Sequence, residues 1–208
     1  MFTFTALQVA TLSAGIVFSP QNILRWPEHV FTKPSSYTVI ATGETQLLDA
    51  QCKPGEASGL FFREGVNLQE TPWIRWQWRV LQTPSGADEQ TRSGDDFALR
   101  IYAIDEHRVL RWRTRALNYV WAKDADINDH WPNPFAQQAH MIALQSGVVE
   151  PHTWRVEVRN LQEDFIEFHG RNLDELSALA IMTDCDNTQS TAHGQLLEIS
   201  FHAEKPQG

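Results

Sequence analysis

Short runs in which apolar and polar side chains alternate recur along the chain, and they constrain its fold more than any other feature. In Trp73–Leu81 (WIRWQWRVL) the side chains of Trp76, Trp78 and Val80 share one face, while polar side chains take the other. Phe97–Ile104 (FALRIYAI) alternates in the same way. Because successive side chains of a β-strand point to opposite faces, both runs predict half-buried strands.

Several other segments have the composition of strands, and turn-forming residues separate them. These runs are Ser36–Ala41, Gly59–Phe62, Arg108–Arg113, Ala116–Trp121, Met141–Gln145, Thr153–Val158, Ala178–Met182 and Leu196–His202. Helical periodicity is confined to Val158–His169, with a short helical turn at Asn172–Leu176. The sequence therefore predicts an all-β protein, a two-sheet β-sandwich of jelly-roll type with one or two short helices.

Length and charge narrow the classes of function. The 208 residues suit a single β-sandwich domain spanning residues 1–208. The formal net charge of −9 argues against nucleic acid or an anionic membrane surface as the main partner. The 8 Trp and 11 Phe are typical of a β-rich core, and often of a binding face as well.

The first eighteen residues are apolar but contain neither Lys nor Arg. A secretory signal usually begins with basic residues, and this segment is too short and too rich in Thr to span a membrane. Phe2, Phe4 and Val9 alternate with polar residues, which favours an N-terminal strand over an atypical signal segment. No later run is apolar enough to cross a membrane.

Motifs that would identify an enzyme are missing from the sequence. It contains no G-x-S-x-G, no P-loop, no G-x-G-x-x-G and no H-E-x-x-H. We therefore expect no nucleotide or haem cofactor, and we assign no catalytic residue from sequence.

A pair of neighbouring carboxylates, Asp95 and Asp96, lies where a polar loop enters a predicted strand. Arg100 lies four residues beyond Asp96, and we expect it on the same face, where it would pair with or orient that carboxylate. These three residues are candidate ligand-binding residues. The alternative is a turn with a buried ion pair.

Hard oxygen ligands cluster in the segment Met182–Thr188 (MTDCDNT), where Asp184, Asp186 and Asn187 suit Ca²⁺. The segment begins like an EF-hand but has Gln189 where the loop needs Gly, so it is not an EF-hand. It predicts a structural calcium site of another type. A turn stabilised by its own side chains is the alternative.

Aromatic side chains beside polar groups are typical of sugar-binding surfaces. We expect Trp76 and Trp78 to fill the core, and Tyr119 and Trp121 to join the ligand face. Trp131 lies in the long loop Lys123–Gln138, and we expect it to be exposed and to bind ligand.

Three arginines, Arg111, Arg113 and Arg115, alternate along the sequence and would line one face of a strand. With the aromatic residues nearby they would suit an anionic ligand. The alternative is a solvated strand face.

The sequence resembles the bacterial family DUF3047, a domain of unknown function. The resemblance covers most of the chain from about Phe18 onward and is carried by the blocks Glu56–Leu60, Pro72–Val80, Gly94–Tyr102, Asn118–Trp121 and Ala180–Thr188. It implies no activity. It does imply export to the periplasm or the cell surface, and a cytoplasmic location is the alternative.

The two cysteines, Cys52 and Cys185, lie beside family blocks where the resemblance leads us to expect small or polar residues. These two departures together favour a disulfide, and two unrelated buried thiols are the alternative. The ending Gly194–Phe201 also resembles the last strand of galactose-binding-like jelly rolls, a fold that serves many carbohydrate-binding modules and often holds a structural calcium. Fold does not fix function.

Three functions fit these observations. The first, which we favour, is a non-catalytic module that binds a polysaccharide, glycan or other cell-envelope polymer. The second is a polysaccharide-active enzyme, either a glycoside hydrolase using Asp95 or Asp96 with Asp184 or Asp186, or a lyase using Tyr119 and Arg100. The third is a structural envelope protein that binds another protein, with a large exposed apolar patch and no pocket.

Overall fold

The computed structural model describes residues 14–107, 109–148 and 153–208. The predicted N-terminal alternation of Phe2, Phe4 and Val9 lies outside these residues. The strands of the described part are β1 Ala14–Phe18, β2 Glu28–Val30, β3 Ser36–Thr42, β4 Thr45–Cys52, β5 Ala57–Phe62, β6 Val66–Asn67, β7 Trp73–Gln82, β8 Arg100–Asp105, β9 Arg115–Ala122, β10 His130–Pro132, β11 Ala139–Ser146, β12 Arg155–Asn160, β13 Glu175–Leu176, β14 Ala178–Asp184 and β15 Ala192–His202. The helices are α1 Pro20–Leu24, α2 Leu161–His169 and the 3₁₀-helix Arg111–Arg113.

The strands form two large sheets, which confirms the predicted β-sandwich. The six-stranded sheet has the order β12-β7-β15-β4-β3, with β1 also paired to β15. The seven-stranded sheet has the order β10-β11-β9-β8-β14-β5-β2. Its strands pair antiparallel except for β9 and β11, which are parallel. The short strands β6 and β13 form a separate pair.

The core lies between the two sheets and is rich in aromatic side chains. Trp76 and Trp78 project from β7 and are fully buried, as the alternation predicts. The ring centre of Trp76 lies 5.4 Å from that of Tyr119, and the ring centre of Trp78 lies 5.6 Å from that of Trp121. Both partners are on β9 of the facing sheet. Each such aromatic pair stabilises the fold by roughly 0.5–1.5 kcal/mol beyond the stabilisation that comes from burying its surface.

A disulfide between Cys52 and Cys185 connects the sheets. Cys52 ends β4 of the six-stranded sheet, and Cys185 directly follows β14 of the seven-stranded sheet. The bond also fixes the segment that carries Asp184 and Asp186. Among the described residues, no helix is long and apolar enough to cross a membrane.

Two of the helical predictions need correction. The helix predicted at Val158–His169 begins only at Leu161, because the preceding residues pair with β7 as β12. Asn160 accepts hydrogen bonds from two backbone N–H groups of the first turn, and Gly170 ends the helix in the left-handed region. The predicted turn at Asn172–Leu176 is wrong because Glu175–Leu176 pairs with β6.

The strand predicted at Arg108–Arg113 is also wrong for the described part of that run, residues 109–113. The ring nitrogen Nδ1 of His107 accepts a hydrogen bond from the backbone of Leu110, whose carbonyl accepts one from Arg113. These bonds close a turn and the 3₁₀-helix Arg111–Arg113, so that of the three arginines only Arg115 lies in a strand, at the start of β9. All the other predicted runs contain a strand.

Candidate functional site

The outer face of the seven-stranded sheet, opposite the core, carries polar side chains. Ile101 and Ile181 face the core from β8 and β14. Alternation therefore turns Arg100 outward from β8, and Met182 and Asp184 outward from β14. Residues of the loop between β9 and β11 cover part of this face.

Arg100 forms the centre of a buried network there. Its guanidinium contacts the carboxylate of Asp184 and lies 3.4 Å from Oδ1 of Asp95. The amide of Asn133 donates to the other oxygen of Asp95, at 2.9 Å. The predicted pairing of Arg100 with Asp96 is wrong, because β8 begins only at Arg100 and the strand alternation does not extend back to Asp96.

Asp96 holds the loop after β14 instead. Its carboxylate accepts from the backbone N–H and the side-chain amide of Asn187, each at 3.1 Å. It also accepts from the backbone N–H and the hydroxyl of Thr188, each at 2.6 Å. Since a carboxylate offers about four lone-pair sites, these four donors occupy Asp96.

Three carboxyl groups at this site, those of Asp95, Asp184 and Asp186, have raised pKa values. Burial raises the pKa of Asp184 well above its ordinary value, although the charge of Arg100 acts in the opposite direction. Burial also raises the pKa of Asp95. Burial and the nearby charge of Asp96 raise the pKa of Asp186. A single guanidinium thus faces the two buried carboxyl groups of Asp95 and Asp184.

The donors expected to bind calcium are largely engaged with protein groups. One oxygen from each of Asp96, Asp184 and Asp186 lies within 4.8 Å of the others. However, Asp96 already accepts four hydrogen bonds and Asp184 pairs with Arg100, so two of these three carboxylates are engaged by protein groups. These contacts do not fit a calcium ligand set. The calcium site stays a prediction, and we assign no step to it.

Two adjoining cavities lie on the outer face, and we call them together the outer groove. The first, of about 360 Å³, has a polar end formed by Asp95, Arg100, Asn133, Asp184, Asp186 and Asn187. The second, of about 340 Å³, is mainly apolar and includes Phe61, Ile104 and Ala116. Both are lined by Phe31, Tyr102, Ala136 and Ala139. The outer groove therefore runs from an apolar, aromatic end to a polar end.

The structure separates the predicted ligand residues into two groups. Asp95 and Arg100 line the outer groove, with Asp96 behind them. Tyr119 and Trp121 lie in the core, where their polar atoms bond to Asp164 and to the carbonyl of Gly147. Neither of these aromatic residues lines the outer groove.

The predicted exposure of Trp131 is wrong. Its side chain is only 6% exposed and packs in a small apolar cluster with Phe97 and Met141. The reason is local pairing, since Trp131 lies in β10, which adds to the edge of the seven-stranded sheet through β11. Trp131 does not line the outer groove either.

Other residues of the outer groove do not follow from the sequence alone. Phe31, Asn133 and Phe135 line it but belong to no recognisable motif, whereas Tyr102 lies two residues beyond Arg100 in the alternating run Phe97–Ile104 and so shares its face. Asn133 and Phe135 do lie in the long loop Lys123–Gln138, and loops of that length are often functional. For Asn133 and Phe135, the length of this loop was the sequence feature that indicated a functional role.

Comparison with known proteins identifies the family. The family model described as "Protein of unknown function (DUF3047)" matches residues 24–200. The chain belongs to the DUF3047 family. The family description carries no activity. No curated protein matches the sequence.

Several solved structures are similar to this chain at low sequence identity. A cellulase derived from Cel12A of Rhodothermus marinus is 12% identical, with a TM-score of 0.44 over 88% of this chain and 98% of that one. The xyloglucanase domain of NopAA from Sinorhizobium fredii, solved with cellobiose, is 9% identical, with a TM-score of 0.45 over 87% and 93%. Endoglucanase 3 of Trichoderma harzianum, from family GH12, is 8% identical, with a TM-score of 0.41 over 95% and 99%.

Proposed function

We propose that the outer groove binds a carbohydrate without cleaving it. The observation that carries this proposal is the union, in one groove, of aromatic side chains with a buried polar end. A sugar ring has an apolar face that packs on aromatic rings and hydroxyl groups that bond to carboxyl, amide and guanidinium groups. Binding sites of this size, apolar with a few fixed polar groups, are typical of small-molecule sites.

An unsatisfied donor at the polar end supports the same interpretation. Nε of Arg100 is buried and has no hydrogen-bond partner among the described residues. Leaving such a donor unpaired costs about 1–3 kcal/mol. A ligand oxygen that reached Nε would remove this cost, and the contacts of Arg100 with Asp95 and Asp184 hold the guanidinium in place before binding.

Hydrolysis is the second candidate, because Asp95, Asp184 and Asp186 line the same cavity. A glycoside hydrolase needs two carboxyl groups about 5–9.5 Å apart that both reach the scissile bond. Here Asp184 and Asp95 are buried and engaged by Arg100, and only Asp186 is partly exposed. This arrangement favours binding over catalysis. A lyase with Tyr119 as base is not favoured, since Tyr119 lies in the core.

The setting that we propose is the periplasm or another exported location. Disulfides persist in oxidising compartments, so the Cys52–Cys185 bond supports export. A purely structural envelope protein, the third alternative, would have no pocket, and the outer groove counts against it.

A panel of soluble polysaccharides, scored for both retention and product release, tests the proposal. Phe31→Ala is the informative variant, because Phe31 lines both cavities and is 52% exposed, so that its loss should not affect folding. We expect retention of the bound polysaccharide to weaken roughly tenfold, as loss of a stacking contact worth about 1.4 kcal/mol would require.

Ile166→Ala provides the matched control, since Ile166 is 51% exposed on α2 and does not line the outer groove. Equal effects of the two variants would contradict the assignment of the groove. Release of products would favour the hydrolase, and Asp186→Asn would then abolish it. No retention of any polysaccharide would argue against the whole carbohydrate proposal.

A further inference from the structure

An exposed aromatic and basic surface adjoins the outer groove. Trp112 is 64% exposed and Phe135 is 53% exposed. With Arg92 and Arg115 they line a shallow cavity of about 570 Å³. We call these four residues the tryptophan–arginine shelf. Exposed aromatic rings of this size often mark a binding surface.

Backbone contacts fix both arginines of the shelf. Nε of Arg92 donates to the carbonyl of Pro134 at 2.9 Å, and its guanidinium lies 5.3 Å from the ring centre of Phe135. Nη1 of Arg115 donates to the carbonyls of Trp112 and Thr114, both at 2.9 Å. These backbone carbonyls therefore hold both guanidinium groups in position.

The shelf concentrates positive charge on an acidic protein. In the described part of the chain, no carboxylate lies within ion-pair distance of Arg92 or Arg115. The whole chain has 26 acidic residues against 17 Lys and Arg. Unpaired arginines in such a chain suit an anionic group, since guanidinium binds carboxylate and sulfate groups through paired hydrogen bonds.

The shelf is continuous with the outer groove. Phe135 lines both the shelf and the polar cavity, and Gln138 lines both the shelf and the apolar cavity. A ligand with several sugar units could thus extend from the outer groove onto Trp112 without leaving the surface.

We propose that the carbohydrate is acidic, and that the shelf binds a uronate or sulfated unit of it. This inference rests on the proposed function of the outer groove. Trp112 and Phe135 would pack on the sugar ring, while Arg92 and Arg115 would bind its carboxylate or sulfate. The aspartates of the polar end disfavour a second negative charge there, so the unit bound at Asp95 and Asp186 is uncharged.

Binding of matched oligosaccharides tests the inference. The probes are oligogalacturonate and alginate oligomers, a sulfated chondroitin oligomer, and neutral cello- and xylo-oligomers of the same length. We expect at least one acidic probe to bind the wild-type protein tenfold or more tightly than the neutral probes. Added salt should weaken the binding of that probe and leave neutral binding unchanged.

Variants of the shelf residues test whether Arg92 and Arg115 cause the preference for acidic probes. Arg92→Gln with Arg115→Gln should weaken binding of the acidic probe tenfold or more and change neutral binding less than twofold. Trp112→Ala should weaken binding of both kinds of probe. Arg155→Gln, an exposed arginine on β12 of the other sheet, is the control and should change neither.

The outcomes separate this inference from the proposed function. Neutral probes that bind as tightly as acidic ones would overturn the inference and leave the groove proposal intact, as would arginine variants without effect. A single-stranded oligonucleotide of matched charge that binds as tightly as the acidic sugar would show a response to charge alone and would also overturn it. Binding of no saccharide at all would overturn both.

Discussion

The guanidinium of Arg100 and the carboxylate of Asp184 form a buried ion pair between residues 84 positions apart in the sequence. The two side chains are only 4% and 1% exposed, and they project from the neighbouring strands β8 and β14. Because both groups are removed from water, each charge depends on the other. The pair therefore links the polar end of the outer groove to the stability of the sheet.

Arg100→Gln should destabilise the protein strongly. It leaves Asp184 and Asp95 buried beside each other without a cation, and breaking a buried pair in this way costs about 3–5 kcal/mol. The cost should be smaller at pH 5 than at pH 8, because burial raises the pKa of Asp184 and protonation removes the unpaired charge. Urea unfolding at the two pH values measures both effects.

Arg63→Gln is the control for this prediction. Arg63 pairs with Glu106 at 2.7 Å, but both side chains are largely exposed, so the loss should be at most about 1 kcal/mol. Similar losses for the two variants would mean that the Arg100 network contributes no more than a surface pair.

Removal of the disulfide should also destabilise the protein. Cys52 and Cys185 enclose a separation of 133 residues, and closing so long a loop is worth about 4–5 kcal/mol in the chain-entropy model. The double variant Cys52→Ala/Cys185→Ala should unfold at lower urea concentration than the oxidised protein. It should also bind the polysaccharide less tightly, because Cys185 lies between two aspartates of the outer groove.

Thiol titration checks the bond itself. The unreduced, denatured wild-type protein should show no free thiol, and two should appear after reduction. Two thiols before reduction would contradict the disulfide. An unchanged urea midpoint in the double variant would show that the bond contributes no stability.

Alternation was the strongest signal in the sequence. It correctly places Trp76 and Trp78 in the core. In a strand with one buried face, every second side chain lies on that face and is therefore apolar. The residue at which α2 begins could also have been predicted from the sequence. Asn160 is a favoured capping residue with Glu163 three positions later, the usual signature of a helix start.

The order of the strands in the sheets could not be predicted from the sequence. Asp95, Arg100 and Asp184 meet only because β8 and β14 are neighbours in the sheet, and no local pattern specifies that pairing. The burial of Trp131 depends similarly on β10 pairing with β11. Composition indicated which residues could form a site, but the sheet topology decides which of them do.

Two tyrosines of the seven-stranded sheet should separate stability from binding. Tyr119 donates to Asp164 at 2.5 Å within the core, so Tyr119→Phe should cost about 1–2 kcal/mol of stability and leave polysaccharide binding unchanged. Tyr102 lines both cavities of the outer groove. Tyr102→Phe should have the smaller effect on stability, since its hydroxyl contacts the sulfur of Met182, a weak acceptor, at 3.7 Å, and should weaken binding. The opposite pattern would place the ligand away from the outer groove.

His140 should make the protein sensitive to acid. Burial, followed by the charges of His130 and His169, lowers the pKa of His140 to about 4. The unfolded chain has a histidine pKa of about 6.5, so the unfolded state binds the proton first as the pH falls. This contribution to stability is complete above pH ~6.5 and is lost as the pH falls towards 4. Urea midpoints between pH 7 and 4 should therefore fall less steeply in His140→Gln than in the wild type. His29→Gln, at an exposed position, should retain the wild-type slope, and identical slopes in all three proteins would exclude His140 as a source of the acid sensitivity.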